Sequence, residues 1–203
     1  IVAATGDNGR GVCGVSRSAH IVPIRVYNYE TGSDAGATTS ALGKAYDYVI
    51  ENKDKLGIRV VCMSLGVAYS APFSPDDLLL SKIDEAFAEG IVTVAAAGNN
   101  AYNAYEKPYD CYPGDYETVV SAINLQTASS IGQTGSLAFE DAKDVSRAAS
   151  SNRNAPGETD KNISAPGTRV LSTSTSESYG FGSNQYLNGT SMACPHVAGV
   201  LAL

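Results

Sequence analysis

Three short segments rich in small and polar residues hold the side chains that could do chemistry. They are residues 64–66 (Ser-Leu-Gly), 97–99 (Ala-Gly-Asn) and 188–191 (Asn-Gly-Thr-Ser). Ser191 would open a helix, where backbone N–H groups and the dipole favour negative charge, so its hydroxyl could act as a nucleophile. The Asn99 amide could donate to the resulting oxyanion. Position alone leaves simpler alternatives open, because serine is a preferred N-cap and asparagine a common turn residue.

Alternating apolar runs and helical patterns must position these segments. Strands are predicted at 21–27, 59–65, 91–97 and 118–123, each nearly continuously apolar, as in strands covered on both faces. Helices are predicted between them, at 38–52 and 74–89, and again through the C-terminal residues. This order predicts an α/β fold: three layers, with a mostly parallel sheet and helices on both faces. The first two polar segments should then lie side by side at the carboxyl edge of the sheet, where sites form in such folds.

The helix predicted at 74–89 has the best-marked ends. Ser74 can serve as the N-cap, Pro75 suits the first turn, and the acidic pair at 76–77 complements the dipole. Gly90 ends the helix. Its predicted buried stripe consists of Leu79, Ile83 and Phe87.

Composition excludes several classes of protein. The 203 residues carry 14 Lys and Arg against 21 Asp and Glu, a net charge of −7. This acidic balance argues against a nucleic-acid-binding surface, which needs clustered basic residues. Apolar runs all fall well short of the ~20 residues that a membrane span requires. At ~100–200 residues per domain, the length predicts a single domain covering 1–203.

Both ends of the sequence read as interruptions of helical patterns. Residues 1–4 resemble the tail of an apolar helix, and the pattern at 196–203 runs to the last residue without a cap. We therefore expect a domain truncated at both ends.

The four cysteines contain no CxxC pair, which disfavours a zinc or thioredoxin-type site. Cys13, Cys62 and Cys194 have apolar neighbours and are predicted to be buried, whereas Cys111 is predicted to be exposed in a turn.

A longer motif decides between the alternatives at Ser191. Residues 188–199 (Asn-Gly-Thr-Ser-Met-Ala-Cys-Pro-His-Val-Ala-Gly) closely resemble the nucleophile motif of the subtilisin-like serine proteases, the subtilase family. Further segments resemble that family in the same order along the whole chain: 11–15, 61–66, 94–99, 112–116 and 164–167.

The resemblance implies a role for each matching residue. Ser191 would be the nucleophile, while the Asn99 side chain and the Ser191 backbone N–H would donate to the oxyanion. The residues that would pair with an extended substrate backbone are Ser64, Leu65 and Gly66. The residues that would form a wall of the specificity pocket are Ala96, Ala97 and Gly98.

The family's catalytic triad is incomplete in this sequence. His196 lies five residues after Ser191 on the same predicted helix, about 7–8 Å further along it, and His20 matches no catalytic position. The base and its orienting Asp are therefore expected upstream of Ile1, and the segment alone is expected to be inactive. The alternative is a pseudoprotease, a peptide-binding module without catalysis. An α/β-hydrolase is disfavoured because its Asp and His would have to follow Ser191.

The resemblance also bears on cofactors, partners and location. Catalysis in the family needs no cofactor, and no metal site is assigned here. The loop at residues 5–11 has two possible interpretations: it binds a structural calcium ion in the parent protein, or it is a solvated turn. The expected partners are polypeptide substrates and a propeptide or the N-terminal segment, and we expect an exported, extracellular protein. Two further expectations are a cis peptide before Pro113 and an approach of Cys62 to Cys194.

Overall fold

A computed structural model of the chain describes residues 1–9, 11–27, 37–69, 77–101, 110–127, 145–153, 162–173 and 186–203. The helices are α1 (Thr39–Glu51), α2 (Lys53–Leu56), α3 (Leu78–Ala88) and α4 (Thr190–Leu201). The strands are β1 (Val60–Met63), β2 (Val67–Tyr69), β3 (Val92–Ala96), β4 (Asp110–Tyr112), β5 (Val119–Thr127), β6 (Val145–Arg147) and β7 (Asn162–Pro166).

The main sheet has five strands in the described part of the chain, and most of them are parallel. β1 pairs with β3, β3 with β5 and β5 with β7, all in parallel, while β6 pairs antiparallel with the end of β5. β2 and β4 form a separate antiparallel pair. Because β1, β3 and β5 are parallel neighbours, the segments that follow β1 and β3 leave the sheet at the same edge, as predicted.

Two apolar clusters on opposite faces of the sheet produce the three layers. Successive side chains of a strand point to opposite faces. In β3, Ala95 belongs to the cluster with α1 and α3, whereas Val94 belongs to the cluster with α4. The predicted three-layer α/β fold, with helices on both faces, is confirmed.

Helix α3 starts at Leu78, later in the chain than the predicted start at residue 74. Asp77 is the N-cap, and its Oδ1 accepts hydrogen bonds from the backbone N–H groups of Leu79 and Leu80 at 2.9 and 3.1 Å. The proposed cap Ser74 and its neighbours Pro75 and Asp76 lie outside the described residues. Gly90, with φ +77°, follows the helix as predicted.

The buried stripe of α3 ends differently from the prediction. Leu79 and Ile83 are fully buried, but Phe87 is 52% exposed, so its predicted place in the core is wrong. Ala86, three residues after Ile83, is buried instead. Residues three and four positions apart lie on the same side of a helix, and here the residue three positions on completes the buried stripe.

Two predicted elements near the N-terminus are wrong. Residues 21–27 form only an isolated bridge between Tyr27 and Ala37, because no neighbouring strand in the described part of the chain offers them a hydrogen-bonding ladder. Residues 1–4 are not helical. Instead, the carbonyl groups of Val2 and Ala4 accept hydrogen bonds from the backbone of Ser16 and Gly14 at 2.9 and 2.8 Å.

The cysteine burial predictions are largely reversed. Cys111 is buried, at 3% exposure, because its turn folds against the segment that follows β3. Cys13 and Cys62 are exposed, and only Cys194 is buried as predicted.

Candidate active site

A hydrogen-bonded connection between Asn99 and the start of α4 organises the site. Asn99 Oδ1 accepts from the backbone N–H of Thr190 at 2.9 Å and from the Thr190 hydroxyl at 3.1 Å. The same hydroxyl accepts from the Gly98 N–H at 3.1 Å. Since the oxygen of the amide is held by Thr190, its Nδ2 donor is directed to the other side.

The sequence does not predict a role for Thr190. In the structure, this residue forms the hydrogen bonds that join Asn99 and Gly98 to helix α4. It is fully buried and joins the end of β3 to the first turn of α4. The available signal was a hydroxyl residue directly before Ser191 at a helix start, where such residues satisfy N-terminal backbone groups.

Two glycines let the backbone take the shape that this connection needs. Gly98 has φ +97° and Gly189 has φ +144°, values that favour glycine. A Cβ at Gly189 would lie 3.3 Å from Asn99 Nδ2. A side chain there would crowd the amide donor.

Ser191 is half-buried as the second residue of α4. Its Oγ donates to the Ser64 carbonyl at 3.3 Å, and the Ser64 hydroxyl donates to the Ser191 carbonyl at 2.9 Å. Pro195 explains the second bond. A proline four residues ahead has no N–H for the Ser191 carbonyl, so the Ser64 hydroxyl takes that place.

The backbone N–H of Ser191 is free of helical bonding, as expected within the first turn. The Ser191 hydroxyl lies in the first turn of α4, where the helix dipole favours negative charge, and Thr190, the residue before it, is bonded to the Asn99 side chain. The structure thus brings together Ser64, Asn99 and Ser191, three of the predicted site residues.

Three of the remaining predicted site residues, Gly66, Ala96 and Gly98, lie close to Cys111. Ala96 and Ala97 are buried, and Cys111 Sγ donates to the Ala96 carbonyl at 3.6 Å. A Cβ added at Gly66 or Gly98 would lie 3.1 or 3.0 Å from this sulfur. The Ser64-Leu65-Gly66 segment and the Ala96-Ala97-Gly98 segment therefore approach each other across Cys111, a residue that sequence reasoning did not include in the site.

Cys111 itself is held in a neutral form. Burial raises the pKa of its thiol to about 12, and the nearby Asp115 carboxylate adds to the shift. The turn that follows contains a cis peptide between Tyr112 and Pro113, as expected.

The two histidines do not supply a base to Ser191. His196 Nδ1 lies 2.8 Å from the Met192 carbonyl, and burial lowers the pKa of its imidazole. His20 is exposed and lies in the segment before Ile21. Among the described residues, the only hydrogen-bond partner of Ser191 Oγ is the Ser64 carbonyl, which cannot accept a proton at neutral pH.

The described residues contain no cluster of three or more potential metal ligands. In the loop considered for calcium, the Asp7 carboxylate pairs with the Arg17 guanidinium at 2.6 Å on the exposed surface. None of the helices in the described ranges has the length and apolarity that crossing a bilayer would demand.

A groove of about 880 Å³ adjoins the site along the outer edge of β1. It is lined chiefly by residues 19–27 and 56–65, together with residues of α1 and of the C-terminal end of α4, and it reaches Ser64. Neither Asn99 nor Ser191 lines it.

The fold is a three-layer α/β fold. Ser191 lies in the first turn of helix α4, and the Asn99 amide, just beyond strand β3, is bonded to the residue before it. The sequence profile of the subtilase family matches residues 1–203, and the chain belongs to this family.

Several relatives align with most of this chain. Subtilisin DY of Bacillus licheniformis is 34% identical over 197 residues, which cover 97% of this chain and 58% of the relative. The major intracellular serine protease of Bacillus subtilis (strain 168) is 31% identical over 204 residues, covering 100% of this chain and 51% of the relative. The solved structure named S41 Psychrophilic Protease superposes with a TM-score of 0.73 at 26% identity, covering 99% of this chain and 59% of that one. The chain thus spans between half and three fifths of the length of these relatives.

Proposed function

We propose that the chain is the greater part of a serine endopeptidase domain that hydrolyses peptide bonds through an acyl-enzyme on Ser191. One observation carries this proposal: Thr190, the residue directly before Ser191, holds the Asn99 oxygen at 2.9 and 3.1 Å. In this proposal Asn99 Nδ2 and the Ser191 N–H act as paired donors beside the Ser191 hydroxyl. Donors fixed in advance around a developing oxyanion are the largest electrostatic contribution in acyl transfer.

The chemistry assigns each group a step. The Ser191 oxygen attacks the carbonyl carbon of the scissile bond, and the negative charge on the carbonyl oxygen is stabilised by the two donors. Collapse of the intermediate expels the amine and leaves the acyl group on Ser191, and water then releases it. A base must remove the hydroxyl proton, and the described residues offer Ser191 only a carbonyl. We therefore propose that the base and its orienting Asp come from outside residues 1–203.

The groove beside β1 supports this proposal. β1 is the edge strand of the sheet in the described part of the chain, and the groove along it is bounded largely by apolar side chains. A further strand added there would end next to Ser64, close enough to bring side chains to Ser191. By this proposal, residues 1–203 alone have no useful protease activity.

The substrate class follows from the two segments around Cys111. Residues 64–66 lie outside any strand of the main sheet, so their backbone can pair with an extended polypeptide, as an added strand does. The small residues Ala96, Ala97 and Gly98 would line the pocket for the side chain before the scissile bond.

Fluorophosphonate labelling tests the proposal. A longer polypeptide that includes the segment upstream of Ile1 should be labelled at Ser191 and should cleave unfolded casein, whereas its Ser191→Ala variant should do neither. The 203-residue chain should remain unlabelled under the same conditions. A longer, folded polypeptide that binds peptides but is neither labelled nor active would establish the pseudoprotease alternative.

We further infer that the protein is exported, in keeping with its acidic charge. Relatives include both an extracellular protease of Xanthomonas campestris and intracellular serine proteases. Probing culture medium and cell lysate separately with the fluorophosphonate distinguishes the two locations.

A further inference from the structure

We propose that Cys62 and Cys194 form a redox-active dithiol that low-molecular-weight disulfides oxidise to a disulfide bridge between β1 and α4. Their sulfur atoms lie 3.6 Å apart. This inference does not depend on peptide hydrolysis, but it concerns the 203-residue chain as it stands, because Cys62 lines the groove along β1 that the proposed upstream strand would fill.

Strand register explains why the two sulfurs meet. Cys62 in β1 is paired directly with Val94 in β3, and directly paired residues point to the same face of a sheet. Val94 belongs to the cluster that packs against α4, together with Cys194. Cys194 Sγ lies 3.3 Å from the Val94 carbonyl. Both cysteines are therefore next to Val94: Cys62 through strand pairing and Cys194 through the packing of α4.

The two thiols differ in the way that a dithiol exchange site requires. Cys62 is exposed and Cys194 is fully buried. The hydrogen bond between them lowers the pKa of the Cys62 thiol and raises the pKa of the Cys194 thiol, and burial adds to the latter shift. Cys62 is therefore the attacking thiol and Cys194 the resolving one.

The exchange balances with one disulfide such as oxidised glutathione. The Cys62 thiolate attacks one glutathione sulfur, the S–S bond of glutathione breaks, and the first glutathione leaves as a thiolate. Cys194 loses its proton and attacks the Cys62 sulfur, which displaces the second glutathione. The protein dithiol is oxidised by two electrons, and one disulfide is reduced to two thiols.

Closure requires only a small movement. The sulfur–sulfur distance must shorten from 3.6 Å to the ~2.05 Å of a disulfide. The bridge would close a loop between residues 132 positions apart and would tie the strand before Ser64 to the helix that carries Ser191. A bridge across so long a loop restricts the unfolded chain and raises the melting temperature.

The test uses the 203-residue chain treated with oxidised glutathione. Peptide mapping after alkylation of the remaining thiols should show Cys62 linked to Cys194, with Cys13 and Cys111 still reduced. The melting temperature of the oxidised chain should exceed that of the reduced chain by about 5–10 °C.

Two variants separate a dithiol site from ordinary exposed thiols. Cys194→Ala should stop the reaction at a stable glutathione adduct on Cys62, whereas Cys13→Ala, which removes the other exposed thiol, should leave the bridge unaffected. The proposal is overturned if the unmutated chain also stops at the Cys62 adduct, or if Cys62 joins Cys13 or Cys111 instead.

Discussion

Ser64 and Ser191 exchange two hydrogen bonds, each hydroxyl donating to the other residue's backbone carbonyl, at 2.9 and 3.3 Å. The shorter bond replaces the helical one that Pro195 cannot make. The loop that follows β1 is thereby joined directly to the first turn of α4. The position of the Ser191 hydroxyl thus depends on a residue 127 positions earlier in the chain.

Ser64→Ala should destabilise the chain by about 0.5–1 kcal/mol, because the exposed Ser191 carbonyl loses its donor to water. In a Pro195→Ala background, the new N–H of residue 195 can donate to that carbonyl, so the same substitution should cost clearly less. A double-mutant cycle on urea unfolding measures this difference. Equal costs in both backgrounds would contradict the assigned role of the Ser64 hydroxyl.

Asn99 offers a comparison between two variants with different defects. Asn99→Asp keeps an oxygen that can accept from Thr190 but loses the Nδ2 donor, whereas Asn99→Ala loses both. In the active, longer polypeptide, each should lower kcat by at least about 10²–10³, a magnitude that comes from a subtilisin. KM should change little, since the donor acts on the transition state.

The unfolding free energy should separate the same two variants. Asn99→Ala should be destabilised by about 1–3 kcal/mol relative to Asn99→Asp, because it leaves the Thr190 N–H and hydroxyl without their acceptor. Equal stability of the two variants would show that the Asn99–Thr190 connection is not a structural one.

Cys111 should resist alkylation in the folded chain. Its pKa is raised to about 12, so the thiolate that reacts is scarce at neutral pH, and the sulfur is also buried. Iodoacetamide at neutral pH should therefore modify the exposed Cys13 and Cys62 before Cys111, and all four cysteines should react after unfolding. Modification of Cys111 at the rate of Cys13 would contradict its burial.

The raised pKa of Cys111 also predicts how stability depends on pH. Between about 9 and about 12 the unfolded state loses this thiol proton while the folded state keeps it, so stability falls as pH rises. Cys111→Ala should show a smaller fall over the same range, measured by urea unfolding at several pH values.

The Tyr116 phenol should titrate abnormally late. Its hydroxyl donates to Asp84 at 2.6 Å, and this bond to a carboxylate raises the pKa of Tyr116 to about 12. NMR of chain labelled at the tyrosine ring carbon should record this value. Asp84→Asn should move it back toward the ordinary value of about 10, because the negative acceptor is gone.

Thr118 provides the control for that measurement. Its hydroxyl donates to the other oxygen of Asp84 at 2.8 Å. Thr118→Val should leave the Tyr116 pKa close to about 12, since the carboxylate retains its charge and its bond to the phenol. A similar loss of the shift in both variants would show that the shift does not come from the Asp84–Tyr116 bond.

The amino-acid sequence alone predicted the three-layer α/β fold, the strands β1, β3 and β5, the helices α1, α3 and α4, and Ser64, Asn99 and Ser191 as candidate site residues. Each of these depends on local patterns: apolar runs, helix caps, and a long motif whose residues lie next to one another in the chain. The tertiary structure decided that residues 21–27 do not pair as a strand, that Phe87 is exposed, and that Cys111 rather than Cys62 is buried. It also placed Thr190 between Asn99 and Ser191, and it set the 3.6 Å distance between the sulfur atoms of Cys62 and Cys194, whose approach the sequence predicts without a distance. Burial and pairing depend on which distant segments pack together, and no local pattern specifies such long-range contacts.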